Sequence, residues 1–229
     1  MHSLLVMGGD FPSRGYYGQP RPVFDLDSIQ ALQLMQDMEQ GLYPPHPGTE
    51  EDGAQPPRLL RGCVVSPFKA TEAEQVWQYA RLLYKVRAGA DFIVTQLGFD
   101  LSKYRELMIF LRWQEIHLPV LANIFVPSLP VARAMAAGRV PGVLLPEEMV
   151  RQMEEEEAAG HADARLERAA QMMVSIKRCG YQGVHLGGNG LRFRDIRAIL
   201  DRFEELDRRP ELSETICDFP LEDTWYLYL

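Results

Sequence analysis

Polar residues follow two apolar segments of the chain, and their types suit contacts with a small polar ligand. Thr95 and Gln96 come directly after the apolar run 92–94, and Asp10 comes shortly after the apolar run 3–7. In parallel α/β proteins, ligands bind at the carboxyl ends of the strands. The amide of Gln96 can hold a flat polar ring there by paired donor and acceptor contacts. A loop cap for Gln96 and an N-cap for Asp10 are the alternatives.

Five apolar segments alternate with helical patterns along the chain. Strands are predicted at Ser3–Met7, Leu59–Ser66, Phe92–Gln96, Leu118–Phe125 and Gly183–Leu186. A capping box at Thr71–Glu74 starts the helix after the second strand, and Asp100 opens the helix after the third. Because strands and helices alternate, the sequence predicts a parallel sheet of βα units.

Two helices show apolar faces, and the chain ends in an aromatic tail. Val76, Ala80 and Leu83 predict the buried side of the helix that starts near Thr71. The last helix should bury Ile196, Ile199, Leu200 and Phe203. The tail from Arg208 has no clear period, and we expect its aromatic residues Trp225, Tyr226 and Tyr228 to dock in a groove.

Composition restricts the class of protein. The chain has 229 residues, a net charge of -8 and 46% hydrophobic residues, which predicts one soluble domain. The acidic balance argues against nucleic-acid binding. No apolar run approaches the roughly 18 residues of a membrane span, and no signal peptide is visible. Three distant cysteines favour free thiols in a reducing cytoplasm and neither a disulfide frame nor a metal site.

Several motifs together resemble the methylenetetrahydrofolate reductase family. They are Gly9–Pro12, Phe24–Ser28, the block Lys85–Phe92, the block Thr95–Asp100 and Gly183–Leu186. The resemblance covers roughly residues 4 to 206, and the two middle blocks are its specific part. It implies a (β/α)8 TIM barrel of which about five of eight units are present. We therefore expect a single partial domain over 1–229, with βα units to residue 206 and a tail over 207–229.

The resemblance implies an oxidoreductase of folate-dependent one-carbon metabolism and methionine biosynthesis. Such enzymes pass hydride from NAD(P)H, through FAD, to 5,10-methylenetetrahydrofolate. One alternative is a folate-binding or methyltransferase-associated subunit without redox activity. Another is a non-catalytic fragment or scaffold without a ligand.

The resemblance also implies roles for four residues. Asp10 matches an aspartate beside the flavin ring, where its charge would disfavour the anionic reduced flavin. Gly9 precedes it and allows close approach of the backbone to the cofactor. Lys85 matches a lysine near the phosphates of the cofactor, with a solvated lysine as the alternative. Gln96 matches the glutamine that contacts the pterin ring of folate.

Three departures from the family pattern weaken the implied FAD contacts. Gly8 replaces a basic residue, the loop 65–69 lacks a histidine, and Gln78 replaces an acidic residue. Some relatives lack flavin and pass hydride directly from the nicotinamide, and this alternative stays open. The turn 187–190 is a weak phosphate-binding pattern for which tight-turn glycines are the commoner explanation. His185 alternates with apolar neighbours, which is typical of a hydrogen-bonded core histidine.

The resemblance places the strand at 3–7 on the fourth of eight barrel positions, so the units that carry the first three strands are not in the sequence. One of those strands bears the glutamate that serves the family as general acid. A barrel closes by pairing its first and last strands, so five strands leave two open edges. We expect either a fragment or mis-started reading frame, which we favour, or a partner chain, a second copy or a rearrangement that covers these edges.

Overall fold

The structure is a computed structural model, and it describes residues 2–8, 25–42, 56–161, 163–209 and 218–228. The strands are β1 (His2–Val6), β2 (Leu59–Val65), β3 (Phe92–Leu97), β4 (Val120–Val126) and β5 (Gly183–Gly188). They form one sheet in the order β1–β2–β3–β4–β5. The five predicted strands are thus confirmed, although β4 begins two residues later than predicted and β5 ends two residues later.

Seven helices occur in the described residues. They are α1 (Ser28–Glu39), α2 (Glu72–Arg87), α3 (Leu101–Trp113), α4 (Leu129–Ala136), α5 (Glu147–Ala158), α6 (Ala164–Cys179) and α7 (Phe193–Arg208). The predicted caps are confirmed: the Thr71 hydroxyl accepts from the amide of Glu74, and the Asp100 carboxylate accepts from the amide of Lys103. Such caps satisfy helix-end amides that have no partner within the helix.

The first of two compact units comprises Met1–Val64 and Tyr79–Ile93. Strands β1 and β2 pair in parallel in this unit, with Leu5 opposite Gly62. A Cβ atom at Gly62 would lie 2.2 Å from the ring of Phe92, so only glycine lets that ring cross the strand. Arg61 ties β2 to the start of β3, because its backbone amide donates to the carboxylate of Asp91 at 2.8 Å.

The second unit comprises Val65–Gln78 and Val94–Leu229. Strands β4 and β5 pair in parallel in this unit. Alternate residues of β4 are buried from Val120 to Val126, and the buried set faces helices such as α6. The intervening residues Leu121, Asn123 and Phe125 therefore lie on the other face of the sheet.

Two predicted helix faces are wrong in part. Helix α2 buries Gln75, Tyr79, Leu82 and Lys85, whereas Val76 is 46% exposed. The inward polar groups bond to backbone, since Gln75 accepts from the amide of Lys69 and Lys85 donates to a carbonyl of β2. On α7, Ile199 is fully buried as predicted, but Leu200 is 40% exposed.

The fold class is that of parallel βα units of an incomplete (β/α)8 barrel. The register is parallel where β1 meets β2 and where β4 meets β5. Within the described residues, the outer strands β1 and β5 each pair on one side only. The open edges expected from five strands are therefore present. On β1, the side chains of Leu4 and Leu5 are 47% and 40% exposed.

Candidate functional site

Gln96 is the second-last residue of β3, just before the loop that leads to α3. Its Oε1 accepts from the backbone amide of the next residue, Leu97, at 2.9 Å. A Cβ atom at Gly142 would lie 3.8 Å from Nε2 of Gln96, so that loop borders the amide. This contact to a neighbouring backbone amide is the cap that the sequence offered as the alternative for Gln96. The Nε2 group keeps donors for a ligand, and the pterin contact of Gln96 stays a prediction.

A second polar pair lies on the face of the sheet away from the helices. Asn123 of β4 and His185 of β5 are register partners. Oδ1 of Asn123 lies 3.2 Å from Nδ1 of His185. The ring of His185 is exposed, so it is not the buried core histidine that the sequence suggested. An amide and an imidazole side by side can donate to, accept from or protonate a bound ring.

The backbone of Asn123 is held by buried side chains from the opposite face. Its amide donates to the hydroxyl of Thr95 at 3.0 Å, and its carbonyl accepts from the hydroxyl of Tyr104 at 2.8 Å. Tyr104 is fully buried, and burial raises the pKa of its phenol, so the hydroxyl stays a donor. Tyr181 and Phe68 pack edge-on against the ring of Tyr104. These contacts fix the position of the polar pair along the sheet.

Two glycines of β5 flank His185 on its face of the sheet. Below the Asn123–His185 pair, Leu121 fills the space over Gly183, where a Cβ atom would come within 2.9 Å of the leucine side chain. Above the pair, a Cβ atom at Gly187 would lie 3.7 Å from Phe125 and 3.9 Å from His185. An apolar side chain therefore covers one side of the pair. On the other side, toward the strand ends, Gly187 leaves a gap between the ring of Phe125 and the imidazole.

The side chain of Lys85 is buried within the first compact unit. The residue is 6% exposed, and its Nζ donates to the carbonyl of Val64 at 2.7 Å. Burial lowers the pKa of Lys85, while the neighbouring Cys63 acts in the opposite direction. The alternative of a solvated lysine is therefore wrong. Its role at the cofactor phosphates stays a prediction.

Gly9 and Asp10 lie outside the described residues, so their predicted roles stay predictions.

The glycines of the segment 187–190 have local structural explanations. A Cβ atom at Gly188, the last residue of β5, would lie 2.6 Å from the carbonyl of Val126. Gly190 adopts a φ of 69°. These observations favour the tight-turn explanation over a phosphate site.

A partly open cavity on the helix side of β4 is too small for the expected ligand. Its volume is about 20 Å³, and Ile124, Met149 and Phe219 line it together with Arg168. Such a volume holds about one water molecule.

Asn123 is the residue that sequence reasoning missed. The usable signal was a lone polar residue at an alternating position of the apolar strand Val120–Val126, matched by His185 in β5. No group of three potential metal ligands occurs within the described part of the chain. The helices described are also all too short or too polar to cross a bilayer.

Comparisons with known proteins give one family match. Residues 65–192 match the family model described as methylenetetrahydrofolate reductase. This range contains β3, β4 and β5 together with Gln96, Asn123 and His185. No curated protein matches the chain.

Two solved structures resemble the fold at low identity. One is an uncharacterized protein from Clostridium thermocellum that binds two copies of 5-methyl-5,6,7,8-tetrahydrofolic acid, with 11% identity and a TM-score of 0.47. That match covers 80% of this chain and 60% of the other, so the chain spans less than two thirds of the length of that protein. The other is the homocysteine methyltransferase MmuM from Escherichia coli, with 17% identity, a TM-score of 0.30 and coverages of 79% and 76%.

Proposed function

Because the chain belongs to the methylenetetrahydrofolate reductase family, we propose that it binds a reduced folate by the pterin ring at the carboxyl ends of β3, β4 and β5. The observation that carries this proposal is the polar pair beside the gap over Gly187, together with the amide of Gln96. A pterin is flat and carries alternating donors and acceptors, so amide groups suit its edge. The ring of Phe125 offers a surface for stacking.

The proposed reaction is hydride transfer from NAD(P)H to the methylene carbon of 5,10-methylenetetrahydrofolate. The residues of this chain would hold the pterin, exclude water from one face and supply a proton. Lys85 and Gln78 do not fit a flavin contact as they stand, because Nζ of Lys85 donates to Val64 and the amide of Gln78 accepts from Ser66 at 3.3 Å. We therefore derive no step through a flavin, and hydride comes directly from the nicotinamide in this proposal.

The inward contacts of Lys85 and Gln78 also support a second candidate. A chain that keeps the pterin site but not the cofactor contacts would be a folate-binding or methyltransferase-associated subunit without redox activity. The two candidates share the folate site and differ only in the consumption of NAD(P)H.

Calorimetric titration with 5-methyltetrahydrofolate tests the shared part. We expect binding by the unmodified protein and a roughly 10- to 100-fold weaker affinity for Gln96→Ala, since two neutral hydrogen bonds are lost. Gln114→Ala is the matched control, because Gln114 is exposed beyond the end of α3, and its affinity should not change. Equal affinity of the Gln96 variant and the control would contradict the assigned pterin contact.

Oxidation of NADH and NADPH in the presence of methylenetetrahydrofolate separates the two candidates. The reductase predicts folate-dependent loss of the reduced nicotinamide without added flavin. Folate binding without nicotinamide oxidation, with or without added FAD, would favour the subunit without redox activity.

A further inference from the structure

We propose that His185 is the residue that donates a proton to the bound folate and that Asn123 is the residue that positions it. This inference rests on the proposed folate site and assigns a role within it. Nothing in the sequence motifs or in the comparisons gives a function to either residue.

The geometry of the pair gives the two nitrogen atoms of the imidazole different roles. Oδ1 of an amide only accepts hydrogen bonds, so we assign the hydrogen of the neutral ring to Nδ1 of His185, which lies 3.2 Å from Oδ1. Nε2 then carries the lone pair of the neutral ring and the second N–H of the protonated ring. Holding one nitrogen by a neighbouring acceptor is the common way to direct the other toward a reaction.

The position of the pair is set by rigid structure. Asn123 and His185 sit in the middle of paired strands, and the backbone of Asn123 is clamped by Thr95 and Tyr104. Tyr104 is in turn covered by Tyr181, whose hydroxyl donates to the Tyr104 carbonyl at 2.9 Å. Groups on strands keep their geometry better than groups on loops, which is what proton transfer over hydrogen-bond distance needs.

The imidazole is exposed, and the residues recorded beside it are uncharged. They are Asn123, whose amide oxygen it contacts, and Gly187 and Phe125 on the side toward the strand ends. Leu121 and Gly183 lie on the other side of the pair. None of these residues carries a charge, so a protonated imidazole is not neutralised by a carboxylate of β4 or β5. Its exposure lets it recover a proton from water after each transfer.

The proposed chemistry needs one proton at a defined atom. In 5,10-methylenetetrahydrofolate the methylene carbon is bonded to two nitrogen atoms of the folate, N5 and N10. Protonation of N10 by His185 lets the bond between carbon and N10 break, with its electron pair going to N10. The lone pair of N5 forms a double bond to the carbon, and the resulting iminium accepts hydride from NAD(P)H. The products are 5-methyltetrahydrofolate and the oxidised nicotinamide, and His185 is left neutral.

The first test compares His185→Gln with His117→Gln. Glutamine keeps polar atoms in place of the imidazole but cannot carry its proton, and His117 is an exposed histidine in the segment before β4. We expect the rate of folate-dependent NAD(P)H oxidation at saturating folate to fall about 100- to 10,000-fold for His185→Gln and to stay unchanged for His117→Gln. A rate of His185→Gln within about threefold of that of the unmodified protein would overturn the proposal.

The second test does not depend on turnover. Nitrogen NMR of 15N-histidine-labelled protein should show the hydrogen of neutral His185 on Nδ1, and the preference should be lost in Asn123→Ala. Addition of 5-methyltetrahydrofolate should shift the Nε2 resonance of His185 and leave that of His117 unchanged. A hydrogen on Nε2 in the free protein, or an Nε2 resonance that does not respond while calorimetry shows folate binding, would overturn the proposal.

The outcomes separate this proposal from the function on which it rests. If folate binds and nicotinamide is not oxidised, the redox reaction fails while the NMR result still decides whether His185 contacts the folate. If folate does not bind, the folate site fails first and the proton-donor role falls with it.

Discussion

Among the described residues two lysines are buried, one in each compact unit, and their surroundings differ. Lys85 of α2 is 6% exposed and donates to the carbonyl of Val64, beside the thiol of Cys63. Lys103 of α3 is fully buried and donates to the carbonyl of Trp225. Burial lowers the pKa of both lysines, because a desolvated ammonium group is disfavoured.

The difference lies in what surrounds each charge. Nζ of Lys103 lies 3.9 Å from the buried carboxylate of Glu106 and 4.4 Å from the centre of the Tyr226 ring. Glu106 and Asp100 both act to raise its pKa against the effect of burial. For Lys85, the groups that act in this direction are Cys63 and Asp27, and Arg81 opposes them.

The comparison teaches that a buried lysine can have two kinds of role. Lys103 belongs to a charged cluster that also binds the tail, since Asp100 accepts from Leu221 and Tyr226, and Glu106 accepts from Leu227. Removal of one member leaves other charges buried. Lys85 fills an inward position of a helix with a single carbonyl partner, so its removal leaves no carboxylate behind.

The largest effect is expected for Lys103→Met. This change removes the cation that lies 3.9 Å from the buried carboxylate of Glu106, which should lower the free energy of unfolding by about 3–5 kcal/mol. Denaturant unfolding measures this loss. The double variant Lys103→Met with Glu106→Gln should lose less than the single variant, because the buried negative charge is removed together with the positive one. A single-variant loss below about 1 kcal/mol would show that the cluster is no stronger than the surroundings of Lys85.

A pH effect of intermediate size is expected at Cys63, the neighbour of Lys85. Burial raises the pKa of this thiol from 9.0 to about 11, so the folded protein keeps the proton that the unfolded chain loses. The corresponding stability is present below pH 9.0 and is lost as pH rises through about 11. The stability advantage of the unmodified protein over Cys63→Ala should thus shrink by about 3 kcal/mol across this range.

Unfolding of both proteins at several pH values measures this difference. Lys85 changes the stability of both proteins in the opposite direction. Because its pKa is lowered in the folded state, the free energy of unfolding rises with pH up to the pKa of 10.5 that the lysine has in the unfolded chain. A difference between the two proteins that does not depend on pH would mean that Cys63 is not buried next to Lys85 in solution.

A smaller effect is expected for Tyr226→Phe, which tests the tail side of the Lys103 cluster. The hydroxyl of Tyr226 donates to Asp100 at 2.6 Å, and its loss should cost about 1–2 kcal/mol. The amides of Lys103 and Leu221 still donate to Asp100, so the carboxylate does not lose all its partners. Tyr84→Phe is the control, because Tyr84 is 52% exposed on α2. Equal stability of the two variants would mean that the Asp100 contact does not hold the tail.

The smallest effect is expected for Lys85→Met. Methionine fills a similar volume, and the unsolvated ammonium group is removed together with its one carbonyl contact, so stability should change by less than about 1 kcal/mol in either direction. Thermal and denaturant unfolding would detect a larger change. A loss above about 2 kcal/mol would make Lys85 equivalent to Lys103.

Local signals in the sequence predicted the secondary structure well. Thr71 and Asp100 start their helices as predicted because capping depends on residues only two or three positions away. The helix face of α2 was wrong because the rule assigns apolar residues to the inside, whereas Gln75 and Lys85 are buried with backbone partners. Those partners come from other segments, which periodicity does not report.

The candidate site was predicted only in outline. Gln96 stands at the carboxyl end of β3 as expected, and its present contact is with the amide of Leu97. The Asn123–His185 pair could not be foreseen, because its members are 62 residues apart and meet only through the register of β4 and β5. The docking of the tail was foreseen from its aromatic residues, and its dependence on Asp100 and Glu106 was not.

The sequence alone determined the order of strands and helices, the helix starts and the family, since these depend on periodicity, caps and contiguous motifs. Tertiary structure decided which polar groups are buried and which face each other across the sheet. The physical reason is that burial and pairing are properties of segments far apart in the chain, and the strand register sets them to within a single residue.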